Sequence, residues 1–60
     1  MDKLKRTLIL LYGDYMVTED LDVVTDMFDE YKKYTKDIKD PFEKMEALIL
    51  LDAFINKIFI

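Results

Sequence analysis

Carboxylates are the side chains of this sequence whose types and spacing could support chemistry. Asp22 and Asp26 stand four positions apart, so on a helix they would share one face. Such a pair could exchange a proton with a substrate or hold Mg²⁺ or Ca²⁺. The surrounding pattern, however, puts both on the water-facing side of an amphipathic helix, with no evident pocket. We therefore expect neither catalysis nor a metal site at these two residues.

Other reactive groups are scarce. The sequence contains no histidine, cysteine or serine, so its threonines have no imidazole to activate them and no thiolate site can form. Its single glycine, Gly13, excludes a glycine-rich phosphate loop. We predict a non-enzymatic protein that has no cofactor.

The charge balance bears on the choice of partner. Thirteen acidic and nine basic residues give a net charge of −4, which argues against nucleic acid and against an anionic membrane as a direct partner. A small DNA-binding regulator that uses Lys3, Lys5 and Arg6 is therefore a weak alternative. No apolar run approaches the roughly 18 residues of a membrane span, and we expect a cytoplasmic protein.

Six acids and no base lie between Glu19 and Glu30. They could form a negative surface for a basic partner or, in the extreme, a mimic of the DNA backbone. The simpler interpretation is a solvated face whose acids favour the start of a helix dipole. Lys32, Lys33 and Lys36 follow them and support the simpler interpretation.

The chain reads as a single domain, residues 1–60, made of three helices at about 2–16, 19–37 and 41–59. Apolar spacings of three and four define the first two helices, and the strongest start signal is Asp40-Pro41 before the third. Thr18 is the expected N-cap of the second helix, with Asp29 and Lys33 paired on its outer face. The expected apolar stripe of the second helix is Leu21, Val24, Phe28, Tyr31, Thr35 and Ile38, widened by Met27 and Tyr34.

The tetrad Leu-Ile-Leu-Leu occurs at 8–11 and again at 48–51. Four consecutive apolar residues point nearly all round a helix, so we expect the first and third helices to be central and the second to cover them. Short connections favour an up-down-up bundle. Gly13 either ends the first helix or lies inside it, and the sequence does not decide which.

The third helix carries more apolar surface than two short neighbours can cover, and small domains are marginally stable without a partner. We therefore expect an all-α bundle that forms a dimer through its first and third helices. The expected partner-binding residues are Leu50, Phe54, Ile58, Phe59, Tyr12 and Tyr34, together with Asp22, Asp26, Asp29 and Glu30 of the acidic face. Asp52 and Asn56 are either rim residues in water or polar residues that set the register of an interface.

These features favour a small protein-interaction module that binds another protein stoichiometrically, in the manner of compact regulators and inhibitors of bacterial or phage origin. The alternative is a self-assembling structural or oligomerisation module that has no foreign partner.

Overall fold

The computed structural model describes residues 2–60 and consists of three α-helices. They are α1 (Asp2–Thr18), α2 (Asp22–Thr35) and α3 (Pro41–Phe59). The prediction of an all-α chain is confirmed, and α3 has the predicted bounds. Each helix packs on the other two in a body that measures 35 × 19 × 17 Å.

The connection between α1 and α2 differs from the prediction, in which Thr18 caps the second helix. Thr18 is instead the last residue of α1, and its hydroxyl donates to the carbonyl of Asp14 at 2.9 Å. The next residue, Glu19, adopts a left-handed backbone with φ of 53° and donates its amide to the Tyr15 carbonyl at 2.7 Å. This hydrogen bond closes the last turn and stops α1 two residues later than predicted.

The carboxylate of Asp20 accepts a free amide hydrogen at the start of α2. The donor is the amide of Asp22 at 2.9 Å, so Asp20 acts as an N-capping side chain does. Leu21, which directly precedes the helix, has αR backbone angles and no side chain that can accept such a bond. Helix α2 consequently begins three residues later than predicted, and it ends at Thr35 rather than near residue 37.

The start of α3 follows the predicted capping pattern. Asp40 has an extended backbone, and its carboxylate accepts the amide of Phe42 at 2.9 Å. Pro41 occupies the first helical position, where its missing amide hydrogen costs nothing. Glu43 adds a negative charge in the first turn, near the positive end of the helix dipole.

All three helices contribute to the core, so α2 is not only a cover for the other two. Met27 of α2 is as fully buried as Leu8 of α1, and α1 packs more extensively on α2 than on α3. The expectation that α1 and α3 form a central pair is therefore wrong. The buried residues are Leu4, Leu8, Val24, Met27, Ala47, Leu51 and Phe54.

The buried face of α2 is rotated from the predicted stripe. Leu21 is 57% exposed and Phe28 is 43% exposed, whereas Met27 is completely buried. The buried side combines Val24 and Tyr31 of the predicted stripe with Met27 and Tyr34, which were predicted to widen it, and with the partly buried Val23. Both stripes have the spacing of a helical face, and contact with α1 and α3 selects the one that faces inward.

The two apolar tetrads each divide between core and surface. In α1, Leu8 is buried and Leu11 is partly buried, while the two residues between them are exposed. In α3, Leu51 is buried and Leu50 is partly buried, while Leu48 and Ile49 are exposed. A helix in a three-helix body has an inner and an outer side, so a run of four apolar residues cannot be wholly buried there.

Candidate interaction surface

Exposed apolar side chains are the main surface feature of the molecule. The accessible surface is 4653 Å², whereas a 7.2 kDa globular protein typically exposes about 4,100 Å². About 500 Å² of surface is thus left uncovered beyond the usual amount for this mass. The large apolar residues that remain exposed are Ile9, Leu10, Met16, Val17, Leu21, Phe28, Phe42, Met45, Leu48, Ile49, Phe59 and Ile60.

One group of these residues forms a line along the outer side of α3. Phe42, Met45 and Ile49 follow at spacings of three and four and are 74%, 58% and 62% exposed. They lie opposite the buried side of the helix, to which Leu51 and Phe54 belong. We call Phe42, Met45 and Ile49 the α3 stripe.

A second group covers the outer side of α1. Ile9, Leu10, Met16 and Val17 are all exposed, and on the helix they surround Gly13. Gly13 lies inside α1 rather than at its end, and a β-carbon placed there would have no atom within 4 Å. We call these five residues the α1 face.

The α3 residues predicted to bind a partner differ in how much of each side chain is exposed. Phe54 is only 7% exposed, so the prediction that its ring is available to a partner is wrong. Leu50 and Ile58 are partly buried and pack against the core. Phe59, in contrast, is 61% exposed and accessible as expected. The sequence signal for the exposed side is the spacing of Phe42, Met45 and Ile49, which repeats that of a helical face.

Tyr12 explains why Phe54 is buried. The two rings meet edge to face with centroids 5.9 Å apart and planes inclined at 61°. The ammonium group of Lys57 lies 5.3 Å from the Phe54 centroid and 5.8 Å from that of Tyr12, within the range of a cation–π contact. Tyr12 and Tyr34 are both partly buried against the core, so their rings contribute to the fold and only part of each side chain is accessible.

The acidic residues of α2 differ in their exposure. Asp22, Asp26 and Asp29 are exposed on the outer side of the helix. Glu30 is partly buried, and its carboxylate lies 3.6 Å from the ammonium group of Lys33. The predicted pair of Asp29 and Lys33 is therefore replaced by Glu30 and Lys33, and Glu30 borders the cleft between α1 and α2.

Asp52 and Asn56 continue the line of the α3 stripe toward the end of the helix, and both are exposed. Neither is buried within this chain. Their position leaves the two interpretations open, a rim in water or a polar register at an interface.

A shallow cleft of about 390 Å³ lies on the surface where α1 and α2 meet. Lys3 and Lys33 bring positive charge to it, and Glu30 offsets part of that charge. Leu4, Thr7 and Tyr34 complete its lining. Among residues 2–60, no three acidic side chains are arranged to hold a metal ion. Within the same range, no helix is both long enough and apolar enough to cross a membrane.

Comparison with known proteins identified no relative of this chain. No family model, curated protein or solved structure matches the chain. The surfaces described above therefore carry the functional argument by themselves.

Proposed function

We propose that this chain is a small non-enzymatic protein-interaction module that binds another protein stoichiometrically, as a regulator or inhibitor does. We assign this activity to the cytoplasm as part of the same proposal. The bundle runs up-down-up and associates as a dimer in which α1 and α3 supply the contacts. The observation that carries the proposal is the α3 stripe, an apolar line on the side of α3 that faces away from the core.

The α3 stripe has the properties of a helix face that docks on a protein. Its three side chains are more than half exposed and follow the spacing by which one helix packs against another. Contiguous exposed apolar surface on a small protein usually marks a contact site. Phe42 and Met45 are residue types that are enriched in interface cores, because they bury a large apolar area.

The connections between the helices support the up-down-up arrangement. Three residues, 19–21, join α1 to α2, and five residues, 36–40, join α2 to α3. Connections this short place successive helices side by side and antiparallel. The Tyr12–Phe54 contact is consistent with this arrangement, because it joins the second half of α1 to the second half of α3.

The test of the proposal is loss of complex formation when the α3 stripe is made polar. Ile49→Glu puts a charge on the stripe, at its C-terminal end, without touching the core. Thr25→Glu is the matched control, because Thr25 is an exposed helical residue on α2. A partner captured by the wild-type chain is purified and mixed with each variant, and stoichiometry is measured by light scattering. We expect the wild type and Thr25→Glu to form the complex and Ile49→Glu to lose it, with unchanged helix content in all three.

The alternative function is a self-assembling module, and the α1 face favours it. That face is an apolar surface separate from the α3 stripe, so a single partner on α3 leaves it uncovered. Native mass across a wide concentration range separates the two functions. If copies of this chain alone form an assembly that covers both apolar surfaces, and no second protein binds, the function is self-assembly and not binding of a foreign partner.

A further inference from the structure

The α1 face has a symmetry that the α3 stripe lacks. Counting outward from Gly13, the residues at three and four positions on either side are all apolar and all exposed. At seven positions on either side the charges are opposite, with Arg6 before Gly13 and Asp20 after it. A surface of this kind is complementary to itself when a copy is turned by 180° about an axis through Gly13.

We infer that a second copy of this chain occupies the α1 face, with the two α1 helices antiparallel and crossing at Gly13. The inference rests on the proposed association through α1 and specifies the partner, the orientation and the register of that contact. Of the two helices in the proposed dimer, it assigns the contact between copies to α1 alone, which leaves the α3 stripe free for a different protein.

Helical geometry pairs the apolar residues across the axis. Each residue turns the helix by about 100°, so Leu10 and Val17 lie on one flank of the α1 face and Ile9 and Met16 lie on the other. In an antiparallel pair, each flank faces the same flank of the second helix. Leu10 therefore packs against Val17 of the second copy, and Ile9 packs against Met16 of the second copy.

Gly13 permits the close approach that this arrangement needs. It stands between the two flanks, and its α-carbon is open to solvent with nothing within 4 Å of a β-carbon position. On the twofold axis, two glycines meet and the helix backbones can come together without a side chain between them. This explains why a residue that weakens helices is placed in the middle of α1.

Charge selects the antiparallel orientation over the parallel one. The start of α1 is basic, with Lys3, Lys5 and Arg6, whereas the turn that follows α1 holds Glu19 and Asp20. An antiparallel pair sets each basic end against an acidic turn. A parallel pair would place the basic ends together and the acidic turns together. Among residues 2–60, the single ion pair within 4 Å joins Lys33 to Glu30, so Arg6 is available for such a contact.

The α3 stripe is not self-complementary in this way. Its first half is apolar, but the same line continues through Asp52 and Asn56. Antiparallel pairing over the whole length of α3 would set these polar side chains against Ile49 and Met45. The α1 face is the surface on which a second copy meets apolar groups throughout.

The size of the α1 face indicates a weak dimer. A helix of 17 residues is about 25 Å long, and one helix face provides less than the roughly 800 Å² per partner of a standard stable interface. We expect reversible association that increases with concentration. Light scattering should show the mass rising from 7.2 kDa toward twice that value as the concentration approaches about 1 mM.

Orientation is tested by cross-linking, which is simple because the chain has no native cysteine. Leu10→Cys and Val17→Cys are two exposed positions outside the core. Equimolar mixing and mild oxidation should yield mainly the mixed disulfide between residues 10 and 17, and little of either symmetric product. Predominance of the symmetric products would mean parallel pairing and would overturn the inference, as would a random distribution of the three.

A second pair of variants separates the contact from the fold. Gly13→Leu improves the helix but puts a bulky side chain on the axis, so we expect at least about a tenfold weaker dimer with undiminished resistance to urea. Thr25→Leu introduces the same side chain at an exposed position on α2, away from the α1 face, and should leave the dimer within about twofold of wild type. Equal dimerisation of wild type and Gly13→Leu, or a wild-type chain that stays at 7.2 kDa at every concentration, would refute the inference.

The two proposals fail in different ways. If Gly13→Leu is monomeric and still binds a partner protein that Ile49→Glu cannot bind, both proposals hold. If the dimer forms and no partner protein binds, only the proposed function fails. If a partner binds through the α3 stripe while the wild type remains monomeric, only the α1 contact fails.

Discussion

The ring of Tyr12 on α1 meets the ring of Phe54 on α3 edge to face, with 5.9 Å between the centroids. Helix α1 packs less extensively on α3 than on α2, and this ring–ring contact is one of those that join α1 to α3. The ammonium group of Lys57 lies near both rings and adds a cation–π contribution of about 0.5–1 kcal/mol at such an exposed site.

A double-mutant cycle measures this contact. Tyr12→Leu and Phe54→Leu keep apolar side chains but remove the ring–ring geometry, so the cycle should give a coupling of about 0.5–1.5 kcal/mol in the free energy of unfolding. Urea denaturation of the four proteins provides the values. Tyr12→Phe retains the ring and serves as the control, and purely additive losses would show that the ring geometry contributes nothing.

Leu8 and Leu10 provide a matched comparison within one tetrad. Leu8 is completely buried and Leu10 is 70% exposed. Leu8→Ala should lower the free energy of unfolding by about 3–5 kcal/mol, enough to unfold a domain of this size, because it leaves a cavity between the helices. Leu10→Ala should change the same quantity by less than about 0.5 kcal/mol in dilute solution. Circular dichroism with urea titration tests both values, and similar losses would contradict the division of the tetrad.

The left-handed backbone of Glu19 is a position where the residue type should affect the free energy of unfolding. A φ of 53° is unfavourable for a residue with a β-carbon and is easily adopted by glycine. Glu19→Gly should therefore raise the free energy of unfolding by about 0.5–1 kcal/mol. Glu46→Gly, at an exposed position inside α3, should lower it by about 1 kcal/mol. Thermal unfolding of the two variants should shift in opposite directions, and a loss of stability on Glu19→Gly would contradict this account of the turn.

The N-cap of α3, Asp40, should also contribute to the free energy of unfolding. Asp40→Ala removes the acceptor for the Phe42 amide and should cost about 1 kcal/mol of the free energy of unfolding. Asp40→Asn keeps an oxygen acceptor and should retain most of that stability. Asp37→Ala, a nearby exposed acid, controls for the change of charge. Chemical denaturation distinguishes the variants, and equal losses on Asp40→Ala and Asp37→Ala would rule out the cap as the cause.

Local signals in the sequence predicted the elements of this fold. Asp40 and Pro41 marked the first residue of α3 because a capping carboxylate and a proline act within one turn and depend on no distant contact. The first connection was predicted less well. Thr18 is a good capping residue, but Asp20 can cap as well, and two competing local signals leave the boundary of α2 ambiguous by three residues.

The sequence by itself determined that the chain is helical, roughly where its helices lie, and that it carries apolar residues in excess of one core. Which apolar residues face inward was decided only by the tertiary structure. On α3, Phe54 is buried and Phe42 is exposed although both are phenylalanines on the same helix. On α2, Met27 is completely buried and Phe28 is 43% exposed although they are neighbours. A helix that is apolar on several sides satisfies the spacing rule in more than one rotation, and only contact with the other two helices selects among them. The candidate surfaces, the α3 stripe and the α1 face, are the sides that this selection left uncovered.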